Sequence, residues 1–180
     1  VGTFRESSKI TSYLNSILSR SSGGAIIPAQ RVSAGDPKAI AALTEKGVLV
    51  VPVGSETNFL SVNFINARQT TDKDLELLLP LKDQLLWLNL GRTKITDEGI
   101  KTIGQLTNLM TLNLEYTETG DKGLESLLSL KKLTSLNLVG TKSGDEGLTR
   151  LAQLSELKKI FLYQTNVTVQ GVTDVVAKLP

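Results

Sequence analysis

The chain contains no cysteine and no histidine among its 180 residues, and only one methionine and one tryptophan. The first absence removes disulfides, thiolate metal ligands and cysteine nucleophiles. The second removes imidazole ligands and histidine general bases. Neither absence fixes a compartment. No apolar run approaches the roughly 20 residues needed to span a bilayer, so this chain is not expected to insert directly into a membrane. Charge of one sign is lacking too. Twenty basic and 18 acidic residues leave a formal net charge of +2. That near-balance supplies no long-range field for nucleic acid or anionic lipid, and nucleic acid is not an expected partner. The chain opens Val1-Gly2, without a methionine or an apolar signal core, and reads as a processed or excised piece of something longer.

What is present is a period. Leu90-Gly91-Arg92-Thr93, Leu114-Glu115-Tyr116-Thr117, Leu138-Val139-Gly140-Thr141 and Leu162-Tyr163-Gln164-Thr165 recur every 24 residues. Leu88, Leu112, Leu136 and Ile160 share one column. Asp97, Asp121 and Asp145 share another, and Gly99, Gly123, Gly147 and Gly171 a third. A fixed period in the twenties with an LxxLxL core marks a stacked solenoid, in which each repeat buries its apolar side only against the next. Each repeat reads as a short strand, a turn through the threonine and a helix beginning near the aspartate. In the second regular repeat that helix is expected to bury Leu124, Leu127 and Leu128. The expected class is α/β: a right-handed stack with parallel strands on the concave face and helices on the convex face.

Upstream, Ile10, Tyr13, Leu14, Ile17 and Leu18 have the spacing of an amphipathic helix over residues 7 to 20. Residues 21 to 35, rich in Ser, Gly and Ala, read as a linker. Asp36-Pro37 opens a second helix as N-cap and N1, and Gly47 stops it. Val48 to Val51 is a β-branched strand candidate, which Pro52 assigns to a sheet edge or a strand end. Asp72 to Leu79 reads as a further helix. These elements divide the chain into residues 1–35 (helix and linker), 36–55 (capping helix and strand) and 56–180 (repeats). The repeats comprise one irregular unit and four regular ones of about 24 residues. The irregular unit is two residues longer than the others, with 26 residues from Phe64 to Leu90.

At these residues the chain resembles leucine-rich repeat proteins of the ribonuclease-inhibitor-like, strand–helix form. Thr93-Lys94-Ile95-Thr96-Asp97-Glu98-Gly99-Ile100 looks like bacterial repeats reading G-T-x-V-T-D-x-G-L. Val51-Pro52-Val53 and Asn58-Phe59-Leu60, within Val48 to Phe64, are similar to the segment preceding such repeats in bacterial membrane proteins that carry a c-type cytochrome-like domain. That resemblance implies the periplasmic or extracytoplasmic side of a membrane. It implies no catalytic activity, and no haem-attachment motif occurs in the chain. The sequence also departs from the pattern. Threonine replaces the usual turn asparagine, Thr119 and Ser143 take an aliphatic position, and Thr168-Val169 replaces Thr-Asp, which should weaken the last helix cap.

The threonine column is expected to bond backbone at the strand exit. The aspartate column carries the signature of a helix N-cap rather than of a metal ladder, so no metal and no cofactor are expected. Asn63, Asn89, Asn113 and Asn137 point outward between inward leucines. They either hydrogen-bond along their own ladder or present donors and acceptors to a ligand. The candidate binding residues are Trp87, Asn89, Arg92, Asn113, Glu115, Tyr116, Asn137, Lys159, Phe161, Tyr163 and Gln164. Aromatic, Arg and Asn side chains at exposed strand positions are the composition of a recognition surface. The expected function is a non-enzymatic recognition module with a protein partner, using the concave sheet and the C-terminal rim. The alternatives are a structural or spacer domain docking on its parent membrane protein, and carbohydrate or small-ligand binding. Weak self-association through the C-terminal sheet edge is a further expectation.

Overall fold

The computed structural model describes residues 27–177. The helix expected over residues 7 to 20, and Leu179-Pro180, lie outside the described residues.

Residues 27–36 form no helix or strand, but side-chain bonds tie them to the repeats. Asn58 donates to the Val32 carbonyl, and the Gln84 amide donates to Ser33. Helix α1 (Pro37–Glu45) starts as its sequence demands. Asp36 accepts the Lys38 N–H at 2.9 Å, and Pro37 has no N–H to leave unsatisfied. Gly47 ends it with φ +81°, a left-handed turn that glycine takes without a Cβ clash. The chain then enters β1 (Leu49–Pro52), which pairs antiparallel with β2 (Leu60–Asn63) and forms one sheet edge. Pro52 closes β1 at that edge, where its missing donor costs least.

From β2 onward every strand is parallel to the next: β3 (Leu85–Asn89), β4 (Thr111–Asn113), β5 (Ser135–Asn137) and β6 (Lys159–Phe161), in linear order. The registers reproduce the sequence columns, with Leu88, Leu112, Leu136 and Ile160 aligned and Asn89 opposite Asn113 opposite Asn137. The crossovers after β3, β4 and β5 carry α2 (Asp97–Ile103), α3 (Asp121–Leu124) and α4 (Asp145–Leu151), and α5 (Val169–Val176) follows β6. A 3-10 helix extends α3 over Glu125–Ser129. Leu90, Leu114, Leu138 and Leu162 are all buried, as are Leu124 and Leu127, whereas Leu128 is only half-buried. Burying each such leucine is worth roughly 1.5–3 kcal/mol, and neither strand nor helix achieves it without its neighbour.

The irregular repeat differs from its expected form. The segment read as a helix over Asp72 to Leu79 is a 3-10 helix, Asp72–Leu81, with Pro80 inside it. Proline clashes with the carbonyl four residues back, which disfavours an α turn over the last part of this segment. At its start the Thr71 N–H and hydroxyl both donate to Asp74, and Lys46, the C-cap of α1, reaches the same carboxylate at 2.8 Å. The hydrogen bond from Lys46, and then the Thr71 N–H, hold the Asp74 carboxyl below the usual carboxylate range. A lowered folded-state pKa adds stability above the ordinary aspartate range near pH 4. That stability is lost as pH falls through the folded value. Lys46 is 53% exposed, so the contribution is small. Lys46→Met is expected to move the Asp74 titration midpoint upward in NMR. An unmoved midpoint would contradict this assignment.

Candidate recognition face of the sheet

Each repeat turns out of the sheet by the same local bonds. The threonine hydroxyls of Thr93, Thr117, Thr141 and Thr165 donate to the carbonyls of Leu90, Leu114, Leu138 and Leu162, at 2.6–2.7 Å. This is the backbone role expected of that column. Thr119 and Ser143, which break the aliphatic pattern, pair with Thr117 and Thr141 at 3.0 and 2.9 Å. Two buried hydroxyls thereby satisfy one another where Ile95 fills the first repeat.

The aspartate column corrects the sequence reading. Asp97 and Asp121 are the first residues of α2 and α3, not their N-caps. Each carboxylate reaches forward to the following repeat. Asp72 accepts from Thr96, Asp97 from the Gly120 N–H at 2.7 Å, Asp121 from the Gly144 N–H at 2.6 Å, and Asp145 from Thr168. The residues so held are the N-caps of the next helices. The glycine column makes room for this reach. A Cβ on Gly123 would lie 2.6 Å from Asp97 Oδ1, and one on Gly147 2.5 Å from Asp121 Oδ1. The two columns form one brace that locks each layer to the next. Val169 therefore does not weaken the last cap, because Thr168 still accepts the Gly171 N–H at 3.0 Å and is held by Asp145. What the valine removes is the forward reach from that repeat.

Among the described residues, no group of three or more Asp or Glu gathers as a metal site. With the Asp97, Asp121 and Asp145 carboxylates bonded to backbone N–H groups, calcium titration is expected to leave the melting temperature unchanged. A rise of several degrees would revive a metal ladder.

The asparagines also differ from the ladder expectation. Each Oδ1 accepts the N–H two residues on, closing an Asx turn: Asn63 from Ile65, Asn89 from Gly91, Asn113 from Glu115 and Asn137 from Val139, at 2.9–3.0 Å. The amides do not bond to one another along the sheet. Asn137 Nδ2 instead lies 3.5 Å from Glu115 Oε2.

A left-handed residue follows immediately after the Asn89, Asn113 and Asn137 turns, and again at the same position of the last repeat. Arg92 (φ 64°), Tyr116 (φ 52°) and Gln164 (φ 55°) hold this conformation without being glycine, and Gly140 (φ 68°) completes the column. A non-glycine side chain in this region costs about 1 kcal/mol or more. The three side chains associate. The Arg92 guanidinium lies 4.6 Å from the Tyr116 ring centroid and pairs with Glu115 at 2.9 Å. The Tyr116 hydroxyl donates to Gln164 Oε1, two repeats further on. The ring crosses Gly140 on the way, where a Cβ would sit 2.3 Å from Tyr116 Cδ1. Four of the expected residues (Arg92, Glu115, Tyr116 and Gln164) thus form one cluster, joined by Asn137 through Glu115. Trp87, Asn89 and Asn113 lie half-buried on β3 and β4. Lys159 is exposed on β6, Phe161 stands opposite Asn137, and the Tyr163 carbonyl accepts the Gly140 N–H. Gly140 escaped the sequence reading, although a lone glycine in the Arg–Tyr–Gln column was its signal.

The strand–helix stack defines a leucine-rich repeat fold. The family model described as "Leucine Rich repeat" matches residues 85–104 and 105–128. An internalin C2 from Listeria monocytogenes is similar in fold, with TM-score 0.53 and 22% identity over 84% of this chain and 68% of that one. A second internalin of that organism, inlF, gives TM-score 0.47 and 30% identity over 57% of this chain, which spans only 30% of its length. A search of curated proteins returns no match. No helix among the described residues is long and apolar enough to cross a membrane.

Proposed function

We propose that the chain is a non-enzymatic recognition module that binds a protein through the outward face of its sheet and the rim at the strand exits. Leucine-rich repeat folds commonly mediate protein–protein interaction, and the internalin neighbours fit a recognition role. The observation that carries the reading is the rim column. Three of the four exits hold strained Arg92, Tyr116 and Gln164, joined through the Tyr116 side chain, although glycine at each would fold at lower backbone cost. Strain retained at an exposed cluster of Arg, Tyr and Gln points to selection for contact with a partner. The broader binding set remains Trp87, Asn89, Arg92, Asn113, Glu115, Tyr116, Asn137, Lys159, Phe161, Tyr163 and Gln164. An immobilised chain is expected to retain another protein at moderate salt.

One observation favours the second reading, a spacer docking on a parent membrane protein. The β1 edge and the β2 exit carry exposed Leu49, Val51 and Ile65, each 47–51% accessible. These residues belong to the stretch that resembles the segment before such repeats in membrane proteins. Retention of no protein, or of the chain itself alone, would favour the spacer. At the opposite edge, the backbone N–H groups of Leu162 and Gln164 have no strand partner among the described residues, whereas those of Leu138 and Gly140 do. This edge supports the reading that any self-association runs through β6, and Phe161→Lys is expected to lower the mass of any oligomer seen by light scattering.

A further inference from the structure

The asparagine row offers chiefly hydrogen-bond donors. In Asn63, Asn89 and Asn113 the side-chain oxygen is already used by the Asx turn, while no Nδ2 of the three makes a hydrogen bond among the described residues. Three half-buried amides on β2, β3 and β4 thus present N–H donors in register. A ligand that suits them is rich in acceptors and poor in donors. An ordinary extended peptide or a sugar brings donors of its own, which would share oxygens already engaged by the Asx turns. A proline-rich segment brings far more carbonyls than donors, because proline has no N–H.

The spacing agrees. Strands lie about 4.8 Å apart, so Asn63 and Asn113, two strands apart, are separated by about 9.6 Å. A polyproline II helix rises about 3.1 Å per residue with three residues per turn, so carbonyls facing one side recur every ~9.3 Å. Half-buried Trp87 flanks the row, and Ile65, 50% exposed, stands at its end. Gly91 leaves the row uncovered, since a Cβ there would lie 3.2 Å from both Asn89 Oδ1 and Asn113 Nδ2. An aromatic wall beside a line of donors is the general chemistry of polyproline II recognition.

We propose that the face formed by Asn63, Asn89, Asn113 and Trp87 binds a proline-rich polypeptide segment in the polyproline II conformation. This rests on the recognition reading above and names its partner class. The test is calorimetric titration with a peptide of Ala-Pro-Pro repeats, beside Ala-Gly-Gly repeats and acidic Ala-Glu repeats of equal length. The combined variant Asn63→Asp, Asn113→Asp keeps an oxygen for each turn and removes the donors. The expected result is binding of the proline peptide, about tenfold or more weaker binding of the glycine peptide, and a loss of about tenfold or more in the variant, the worth of one or two net hydrogen bonds. Circular dichroism melting establishes that the variant is folded, and Trp87→Ala is the independent arm, with a similar loss expected. No heat from the proline peptide, equal binding of the glycine peptide, or undiminished binding by the folded aspartate variant overturns the proposal. Binding of the acidic peptide in place of the proline one also overturns it, yet leaves the recognition reading standing. That reading fails in its own test, when the chain retains no other protein.

Discussion

Leu136→Ala is expected to destabilise the chain by about 2–5 kcal/mol, whereas Asn137→Ala costs far less. Leu136 is fully buried on β5, between Leu112 and Ile160 of the adjoining strands. Truncation there opens a cavity in the middle layer, and a solenoid has no second core to compensate. Asn137 loses only its Asx-turn bond and a 3.5 Å contact to Glu115, on the half-exposed side of the same strand. One net hydrogen bond is worth about 0.5–1.5 kcal/mol. Leu112→Ala and Asn113→Ala should repeat the contrast one layer earlier. Urea unfolding of all four variants measures it, and equal costs at Asn113 and Leu112 would mean that the amides hold the sheet together.

The second large effect lies in the brace between layers. Asp121→Ala leaves the Gly144 N–H without its acceptor, in a buried residue, at a cost of about 1–3 kcal/mol. Gly147→Ala drives a methyl to 2.5 Å from Asp121 Oδ1 and 2.7 Å from Leu124 Cδ1, and overpacking of this kind costs about 1–3 kcal/mol. The two changes share one contact, so their combination should cost measurably less than the sum. Strict additivity in a double-mutant cycle would show that the aspartate and the glycine act separately.

The leucine and threonine columns were legible because each obeys a local rule, burial of alternate strand residues or a hydrogen bond within three residues; of the asparagine column only its outward position was legible, not its Asx turns. The forward reach of the aspartates was not legible in the same way. An aspartate at the head of a helix reads as that helix's own cap, and nothing within its own turn distinguishes the two roles. The distinguishing signal is long-range, in the glycine that stands 26 residues after Asp97 and again after Asp121. Strain at Arg92, Tyr116 and Gln164 left no mark either, since none is a residue type that advertises a left-handed backbone. The 3-10 form of Asp72–Leu81 did have a signal in Pro80.

The recognition reading makes the rim a place where stability is given up for contact. Replacing Arg92 and Tyr116 with glycine relieves two left-handed side chains and removes an exposed ion pair, a cation–π contact and one hydrogen bond, so stability should stay within about 1 kcal/mol of the parent. The most direct measurement pairs urea unfolding of this double variant with its retention of the protein that the parent chain captures at moderate salt. The account predicts unfolding like the parent's and a partner lost. A variant that unfolds like the parent and still holds the partner at parental strength would contradict it.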